Sequence, residues 1–453
     1  MRWKVFLSCV TLTLAGCMVG PNYQRPTVAA PPAFRAGEPQ PSQASLGDAR
    51  WFDLFQDDTL RGLIQESLQA NYDIKIAAQR VIEAQGQLTV TRSGLFPQLD
   101  GQAEAGRNGT KSPIQSWAAG FGSVSWEIDL FGKLRRATEA ARADMLSVQE
   151  NQKAVMQALV ADVASAYFAL REIDAELEYV RESVKTRQQS VTLVAARMEG
   201  GVGNELDLDQ AKTLVQSAQA ELALLERAQE QTENLINYLL GKQPGAVARG
   251  KSLIEQSQPP QVPSGLPSTL LERRPDLREA EQQLIAANAR VGVAKAAFYP
   301  SINLTAAGGY QSTDLLGIAS RTGFAYSMGG VVDLPIFDAG RRSGNYKIAK
   351  AQREEILIGY QKAIHGAFRD VSDALAGYQK TREYSSSQKL LAETLRDQSG
   401  LATKRYEGGV SSYLEVLDTE RQRLTAEQTL AQSQRDVLTS LVQLYKALGG
   451  GWQ

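Results

Sequence analysis

The property that most limits what this chain can fold into is that it is written twice. Asn71-Tyr72-Asp73-Ile74 corresponds to Arg274-Pro275-Asp276-Leu277, and the match runs without a gap through Ala84 and Ala287 to Phe96-Pro97-Gln98-Leu99 and Tyr299-Pro300-Ser301-Ile302, an offset of 203. Phe131-Gly132-Lys133-Leu134-Arg135-Arg136 parallels Phe337-Asp338-Ala339-Gly340-Arg341-Arg342 at 206. Arg197-Met198-Glu199-Gly200-Gly201-Val202 parallels Arg405-Tyr406-Glu407-Gly408-Gly409-Val410 at 208, and Leu240-Gly241 meets Leu448-Gly449 at the same offset. Small insertions account for the drift. Self-similarity on this scale means one supersecondary pattern used twice. The copies are expected at 58–242 and 268–449, with a proline-rich connector at 243–267 and a short tail at 450–453.

Each copy reads helix, two strands, long helix, turn, helix. Leu159, Val163, Ala166, Leu170, Ile173, Leu177, Val180 and Val184 step by alternating four and three, the period of a supercoiled seam. This predicts one helix over Leu134–Met198, 65 residues or roughly 100 Å long, which no compact domain requires. Leu206–Leu240 keeps apolar or small residues at Leu208, Ala211, Val215, Ala218, Leu222 and Leu225 and is expected to fold back antiparallel. Gly200, Gly201 and Gly203 supply the permissive backbone of the tip between them, as Gly408 and Gly409 do in the second copy. With Val202 and Val410, these glycines mark the breaks in the long helices, and so the ends farthest from the strands.

Period two governs the strands, expected within about 98–130 and 301–337. Val124, Trp126, Ile128 and Leu130 alternate with Ser123, Ser125, Glu127 and Asp129, and Val332, Leu334 and Ile336 continue an apolar face begun by Phe324, Tyr326 and Met328. Leu99–Ala105 and Ile302–Tyr310 alternate likewise, with loops near 108–116 and 311–321 closing two hairpins. One apolar and one polar face suits a membrane barrel with lipid outside and water inside; a half-buried soluble sheet has the same pattern. No segment beyond the N-terminus reaches 18 consecutive apolar residues, so any membrane-spanning part is expected to be β. Four strands are too few to close a barrel, since about 8 is the smallest number that does, so several chains must share one.

The N-terminus reads as an address. Arg2 and Lys4 precede a short apolar run over Val5–Thr13, a secretory signal expected to occupy residues 1–16. It ends in Leu14-Ala15-Gly16-Cys17, which resembles the bacterial lipobox and implies cleavage before Cys17 and a lipid on its thiol. Met18 follows, in place of the aspartate that retains such lipoproteins at the inner membrane, so outer-membrane delivery is expected. Pro21, Pro26, Pro31, Pro32, Pro39 and Pro41 keep the segment at 17–57 largely extended.

Chemistry is scarce. The single histidine, His365, sits in a helical pattern, and Cys9 and Cys17 are the only cysteines, so no metal or acid/base set can be assembled around them and no disulfide framework exists in the mature chain. Lysines and arginines number 49 against 50 acids, which leaves no excess of positive charge for a nucleic acid. Gly245-Ala246-Val247-Ala248-Arg249-Gly250-Lys251-Ser252 matches the phosphate-loop pattern letter for letter, but Gln243-Pro244 precedes it and prolines follow, whereas a phosphate loop needs a strand before and a helix after. No cofactor and no catalytic residue is expected.

Val19-Gly20-Pro21-Asn22-Tyr23, Trp51-Phe52 with Phe55 and Leu60, Arg273-Arg274-Pro275-Asp276-Leu277, Phe298-Tyr299-Pro300 and Leu444-Tyr445-Lys446-Ala447-Leu448-Gly449-Gly450-Gly451-Trp452 together resemble the TolC-like outer-membrane efflux family, in its lipoprotein branch. Trp51-Phe52 departs slightly, since relatives often carry two tryptophans there. The resemblance covers the whole chain. It implies a homotrimer with twelve barrel strands in the outer membrane and a periplasmic barrel of twelve helices, joined through a periplasmic adaptor to a proton-driven inner-membrane pump. It further implies that Gly200, Gly201, Val202, Gly203, Gly408, Gly409 and Val410 form the adaptor-contacting tips. In the family an inward-leaning second hairpin closes the duct with a leucine, an aspartate and an arginine, and Tyr413–Arg421 matches that stretch, which assigns the gate to Leu414, Asp418 and Arg421. At the 208 offset Leu414 has a counterpart in Leu206, but Asp418 falls on Gln210 and Arg421 on Thr213, so only the second copy carries the charges. Asp418 and Arg421 also have the spacing of an ordinary helix surface pair. Three functions remain open at this level: an efflux duct for small molecules, a conduit for secreted protein, and an envelope lipoprotein with no transport role.

Overall fold

The computed structural model describes residues 18–28, 31–35, 45–109, 115–256, 262–265, 267–312 and 323–452. In chain order the main elements are α1 (Asp58–Ala70), α2 (Tyr72–Ser93), β1 (Gln98–Asn108), β2 (Gln115–Ile128), α3 (Lys133–Glu199), α4 (Glu205–Leu239), α5 (Pro275–Ala296), β3 (Ser301–Ser312), β4 (Phe324–Asp333), α6 (Arg341–Glu407) and α7 (Tyr413–Ala447). The pattern from α2 to α4 recurs from α5 to α7. Both long helices have 67 residues, about 100 Å at 1.5 Å per residue, and both returning helices have 35. The described parts of Met1–Val28, Gln79–Glu150 and Leu277–Ala363 form one compact unit, and those of Ala29–Ala78, Asn151–Asp276 and Ile364–Gln453 another.

The second unit holds the larger apolar core. Leu159, Val160, Val163, Ala164, Tyr167 and Leu170 of α3 pack with Leu60 and Ile64 of α1, with Ile236 and Leu240, and with Leu438 and Val442 of α7. The predicted seam on α3 is buried at Leu159, Val163, Ala166, Leu170, Leu177 and Val180 and half-buried at Ile173 and Val184. α3 contains one window apolar enough by length and composition to cross a membrane, though it is not an unbroken apolar run, and 56% of that window is buried inside the fold. Burial there is core packing.

Asp57 organises the start of this unit. Its carboxylate caps α1 by accepting from Thr59 N and Leu60 N, and it also accepts from Tyr167 Oη at 2.9 Å, Gln256 Nε2 at 2.8 Å and Lys251 N at 2.9 Å. Burial alone would raise its pKa, but these donors hold it below the usual carboxylate range. Gly250 lies so close that an added Cβ would sit 2.2 Å from Asp57 Oδ1. The glycine and backbone amide of the apparent phosphate loop are thus accounted for, and among the described residues that stretch is coil after α4, with no strand directly before it and no helix directly after it.

The first unit contains one antiparallel sheet in the order β1-β2-β3-β4. The two predicted hairpins form, with Leu99 opposite Val124 and Leu304 opposite Gly330. β2 and β3 join them, with Val124 opposite Ala306, Trp126 opposite Leu304 and Ile128 opposite Ile302. β2 stops at Ile128, short of Leu130, and β4 at Asp333, short of Ile336, because Pro335 has no N–H for the ladder and Asp129 turns back to accept from Leu134 N and Arg135 N at the start of α3. Residues 110–114 and 313–322, within the expected hairpin loops, lie outside the described residues.

Candidate functional site

The first functional surface is the sheet. Leu99, Val124, Trp126, Leu304, Met328 and Val332 share one face through the strand registers, and all are exposed, Met328 to 82% and Leu99 to 77%. The opposite face carries Gln98, Asp100, Gln102, Glu104, Ser125, Glu127, Asn303 and Thr305, interrupted by Trp117, Phe121 and Val331. Tyr310, Phe324 and Tyr326 cluster at one end of the apolar face, with ring centroids 5.3 and 6.3 Å apart, and Trp126 lies toward the other, its indole donating to Leu95 O at 3.1 Å. An apolar band with aromatics toward both ends is what a lipid-facing barrel wall requires. A bare apolar face of this extent would otherwise drive aggregation.

Cys17 lies outside the described residues. The chain that follows is fixed in the first unit: Val19 N donates to Phe131 O at 3.1 Å, and Asn288 Nδ2 donates to Pro21 O at 2.9 Å. Arg136, 1% exposed, donates to Asn22 Oδ1 and Glu139 Oε2, both at 2.7 Å. Tyr23 Oη donates to Glu281 at 3.0 Å, and Arg25 grips the same carboxylate with two nitrogens. Gly20 meets Gly292 so closely that an added Cβ would stand 2.5 Å from Gly292 Cα. Hydropathy gives no sign of these contacts.

The second surface is the pair of tips. α3 ends as Gly200 N donates to Ala196 O and Val202 N to Arg197 O, with Gly201 at φ 75°, and α6 ends in the same way at Gly408, Gly409 (φ 73°) and Val410. Asn204 caps α4 by accepting from Asp207 N at 2.9 Å. Gly203 has no room for a side chain, since its Cβ would meet Met198 N at 2.9 Å. Val202 and Val410 stand 73% and 68% exposed at the two turns.

Leu414, Asp418 and Arg421 share one exposed stripe of α7. Leu414 is 65% exposed, and Arg421 Nη2 donates to Asp418 Oδ1 at 2.9 Å, with Gln422 Nε2 on the other oxygen at 2.6 Å. Within one chain this is a surface pair contributing ~0.2–0.5 kcal/mol. Behind it lie residues that pattern reasoning did not single out. Arg197 of the first tip donates to Tyr406 O of the second at 2.9 Å and lies 4.5 Å over the Tyr406 ring, which packs 5.2 Å from Tyr413. Val194, Ala211 and Val416 complete that cluster.

Farther along α7, Arg423 is buried between Glu420 at 3.1 Å and Glu427 at 3.3 Å, with Arg396 and Ser399 of α6 on the same carboxylates. Burial disfavours the Arg423 charge, and the two carboxylates more than restore it. Glu172 of α3 is pushed up to about 7 by burial, against Arg435, with Glu176 and Asp436 adding to the rise. His365 is exposed on α6, and among the described residues no three His, Cys, Asp or Glu side chains converge as metal ligands.

The family model of outer membrane efflux proteins matches residues 63–242 and 266–450. The chain belongs to the outer membrane efflux protein family. The solvent efflux pump outer membrane protein SrpC of Pseudomonas putida is 37% identical over 469 residues, covering 100% of this chain and 99% of that protein. The cation efflux system protein CusC of Escherichia coli strain K12 is 33% identical over 455 residues, covering 99% of each. Among solved structures, the open state of the Neisseria gonorrhoeae MtrE outer membrane channel superposes with a TM-score of 0.89 at 31% identity, covering 96% of this chain and 99% of that one. A crystal structure of CusC gives 0.86 at 32%, covering 96% and 100%. The fold is therefore that of the outer-membrane efflux channels, long paired helices with four strands that form one chain's share of a barrel, and the protein is an outer-membrane efflux component reaching into the periplasm.

Proposed function

We propose that the chain is the passive exit duct of a tripartite efflux pump: a homotrimer, anchored by a lipid on Cys17, whose helical end meets a periplasmic adaptor and, through it, an inner-membrane pump. One observation carries this reading. A sheet of four strands with two open edges and an exposed apolar face is continuous in sequence with helices about 100 Å long, so closing the barrel in lipid also assembles a tube beneath it. Three copies give twelve strands, enough for closure. The cargo is small and toxic, in keeping with relatives named for solvents, cations and antibiotics. The duct moves cargo down a path without chemistry, so it needs no cofactor and no catalytic group.

In the trimer, Leu414, Asp418 and Arg421 of the second tip form apolar and charged rings at the axis and hold the duct shut. Val202, Val410 and the glycines beside them contact the adaptor. The test is single-channel recording of the purified protein in planar bilayers. Discrete conductance steps are expected, and a protein that inserts as a multimer yet never conducts would overturn the duct.

A further inference from the structure

The internal repeat specifies how one copy of the sheet meets the next, given the shared barrel proposed above. Within the chain, the first copy is sealed to the second in two ways. Ile128 of β2 stands opposite Ile302 of β3, and Phe131, just past β2, stacks on Tyr299, just before β3, with centroids 4.7 Å apart and planes at 25°. The repeat gives each member of that seam a counterpart: Leu334 and Phe337 for Ile128 and Phe131 at offset 206, and Leu99 and Phe96 for Ile302 and Tyr299 at offset 203. Leu99 lies on the edge strand β1 and Phe96 just before it, and Leu334 and Phe337 lie just past the end of the other edge strand, β4. In the single chain they are open, with Phe337 88% exposed, Leu99 77%, Leu334 57% and Phe96 55%.

We infer that β4 of one subunit pairs antiparallel with β1 of the next in the register that sets Leu334 opposite Leu99, clasped by Phe337 stacking on Phe96 of the next subunit. The same register sets Val332 opposite Gly101, Gly330 opposite Ala103 and Met328 opposite Ala105. A second observation supports it. Val332 and Met328 lie on the apolar face through Ile302 and Ala306, and Leu99 lies on that face through Val124, so the inferred pairing keeps one continuous lipid-facing surface. A slip of one residue would set Val332 beside Asp100 and turn the lipid face inward. Slips of two residues preserve the faces, and the repeat alone chooses among them. Pairing ends at Pro335, which has no N–H to offer. The contact is head-to-tail, the kind that gives a ring, not a two-fold pair, when its rotation closes, as a shared barrel requires.

Cysteines at Val332 and Gly101 in the full-length protein test the register, with Val332 and Leu99, and Val332 and Ala103, as slipped controls. Gly101 has open space for a side chain. Directly opposed Cβ atoms lie about 4.5–5.5 Å apart, near disulfide range, whereas a two-residue slip moves the partner along the strand and leaves the pair about 7–8 Å apart. Oxidation in cells should convert the Val332→Cys/Gly101→Cys protein into covalent multimers at least several-fold more completely than either slipped pair, with native mass spectrometry of the same samples giving the copy number. A slipped pair that links best in a multi-copy particle overturns the register and leaves the shared barrel standing. A particle of one chain overturns both. For the clasp, Phe337→Ala and Phe96→Ala should each lower the temperature at which multimers dissociate on a gel, and the double variant should lose no more than the worse single one. Additive losses, with helical circular dichroism unchanged, would overturn the clasp.

Discussion

α4 and α7 hold the same place in the two copies and have the same 35 residues, yet four residues of α4 are buried and seventeen of α7. α7 packs against three helices: Gln432 donates to Glu176 of α3, Gln428 to Glu221 of α4, and Glu427 accepts from Arg396 of α6. α4 leans mainly on α3, through Arg187 to Leu214 O and Gln229 to Asp174, and leaves Leu206, Leu224, Leu235 and Tyr238 at least half exposed. Where α7 buries Glu420, Arg423 and Glu427, α4 has Lys212, Val215 and Gln219. Duplication copied lengths, turns and strand order. The substitutions that followed gave one hairpin a buried ionic core and left the other without one at the equivalent positions.

The largest expected effect lies in that core. Arg423→Ala leaves Glu420 with Ser399 but without its ion-pair partner and weakens the hold on Glu427 in a buried place, a loss of about 3 kcal/mol, whereas Val215→Ala at the equivalent place on α4 should cost about 1 kcal/mol or less. Urea unfolding followed by circular dichroism reads both, and equal losses would mean that the two hairpins do not differ in kind.

Next in size is a pH effect confined to the first long helix. Glu172 is buried on α3, while its counterpart on α6, Lys380, is exposed. Its folded pKa of about 7 lies above the ordinary 4.5, so between those values the folded state keeps a proton that the unfolded chain has lost. Stability therefore falls as pH rises from 4.5 to 7, by on the order of 2 kcal/mol, and levels off above. Glu172→Gln should flatten that slope in melting curves taken from pH 5 to 8, and an unchanged slope would assign it to another group.

The smallest effect compares the two corners between strand and long helix. The first uses Gly132 at φ 78°, and the second uses Gly340 at φ 88° in the same place before its long helix but also holds Ala339 at φ 51°, a left-handed backbone that a side chain resists. Ala339→Gly should raise stability by up to about 1 kcal/mol. Gly132→Ala should lower it, since the added Cβ would sit 2.5 Å from Met18 Cγ. Thermal melts that reverse these signs would remove the contrast.

Much of this architecture was legible in the sequence because it rests on period and punctuation. The 208 offset set the two tips, the alternating four and three placed α3 within one residue at each end, and period two found four strands. The buried charges were not legible, because Glu420, Arg423 and Glu427 at helical spacing read as a solvated face, and only the packing of α6 and α3 against it makes it interior. Arg136 and the Val19–Arg25 segment were hidden likewise, since their bonds join residues more than a hundred apart. The β2–β3 pairing, which fuses two hairpins into one sheet, needs the register that folding supplies.

One measurement tests most directly whether the second hairpin, and not the first, controls the duct. Single-channel conductance should be recorded for the Asp418→Ala/Arg421→Ala protein and for its mirror, Gln210→Ala/Thr213→Ala, in the same bilayers. A several-fold rise is expected for the first and wild-type steps for the second, with trimer stability little changed in either. Equal conductance in the two variants would contradict it, returning Asp418 and Arg421 to the role of an exposed ion pair on one helix.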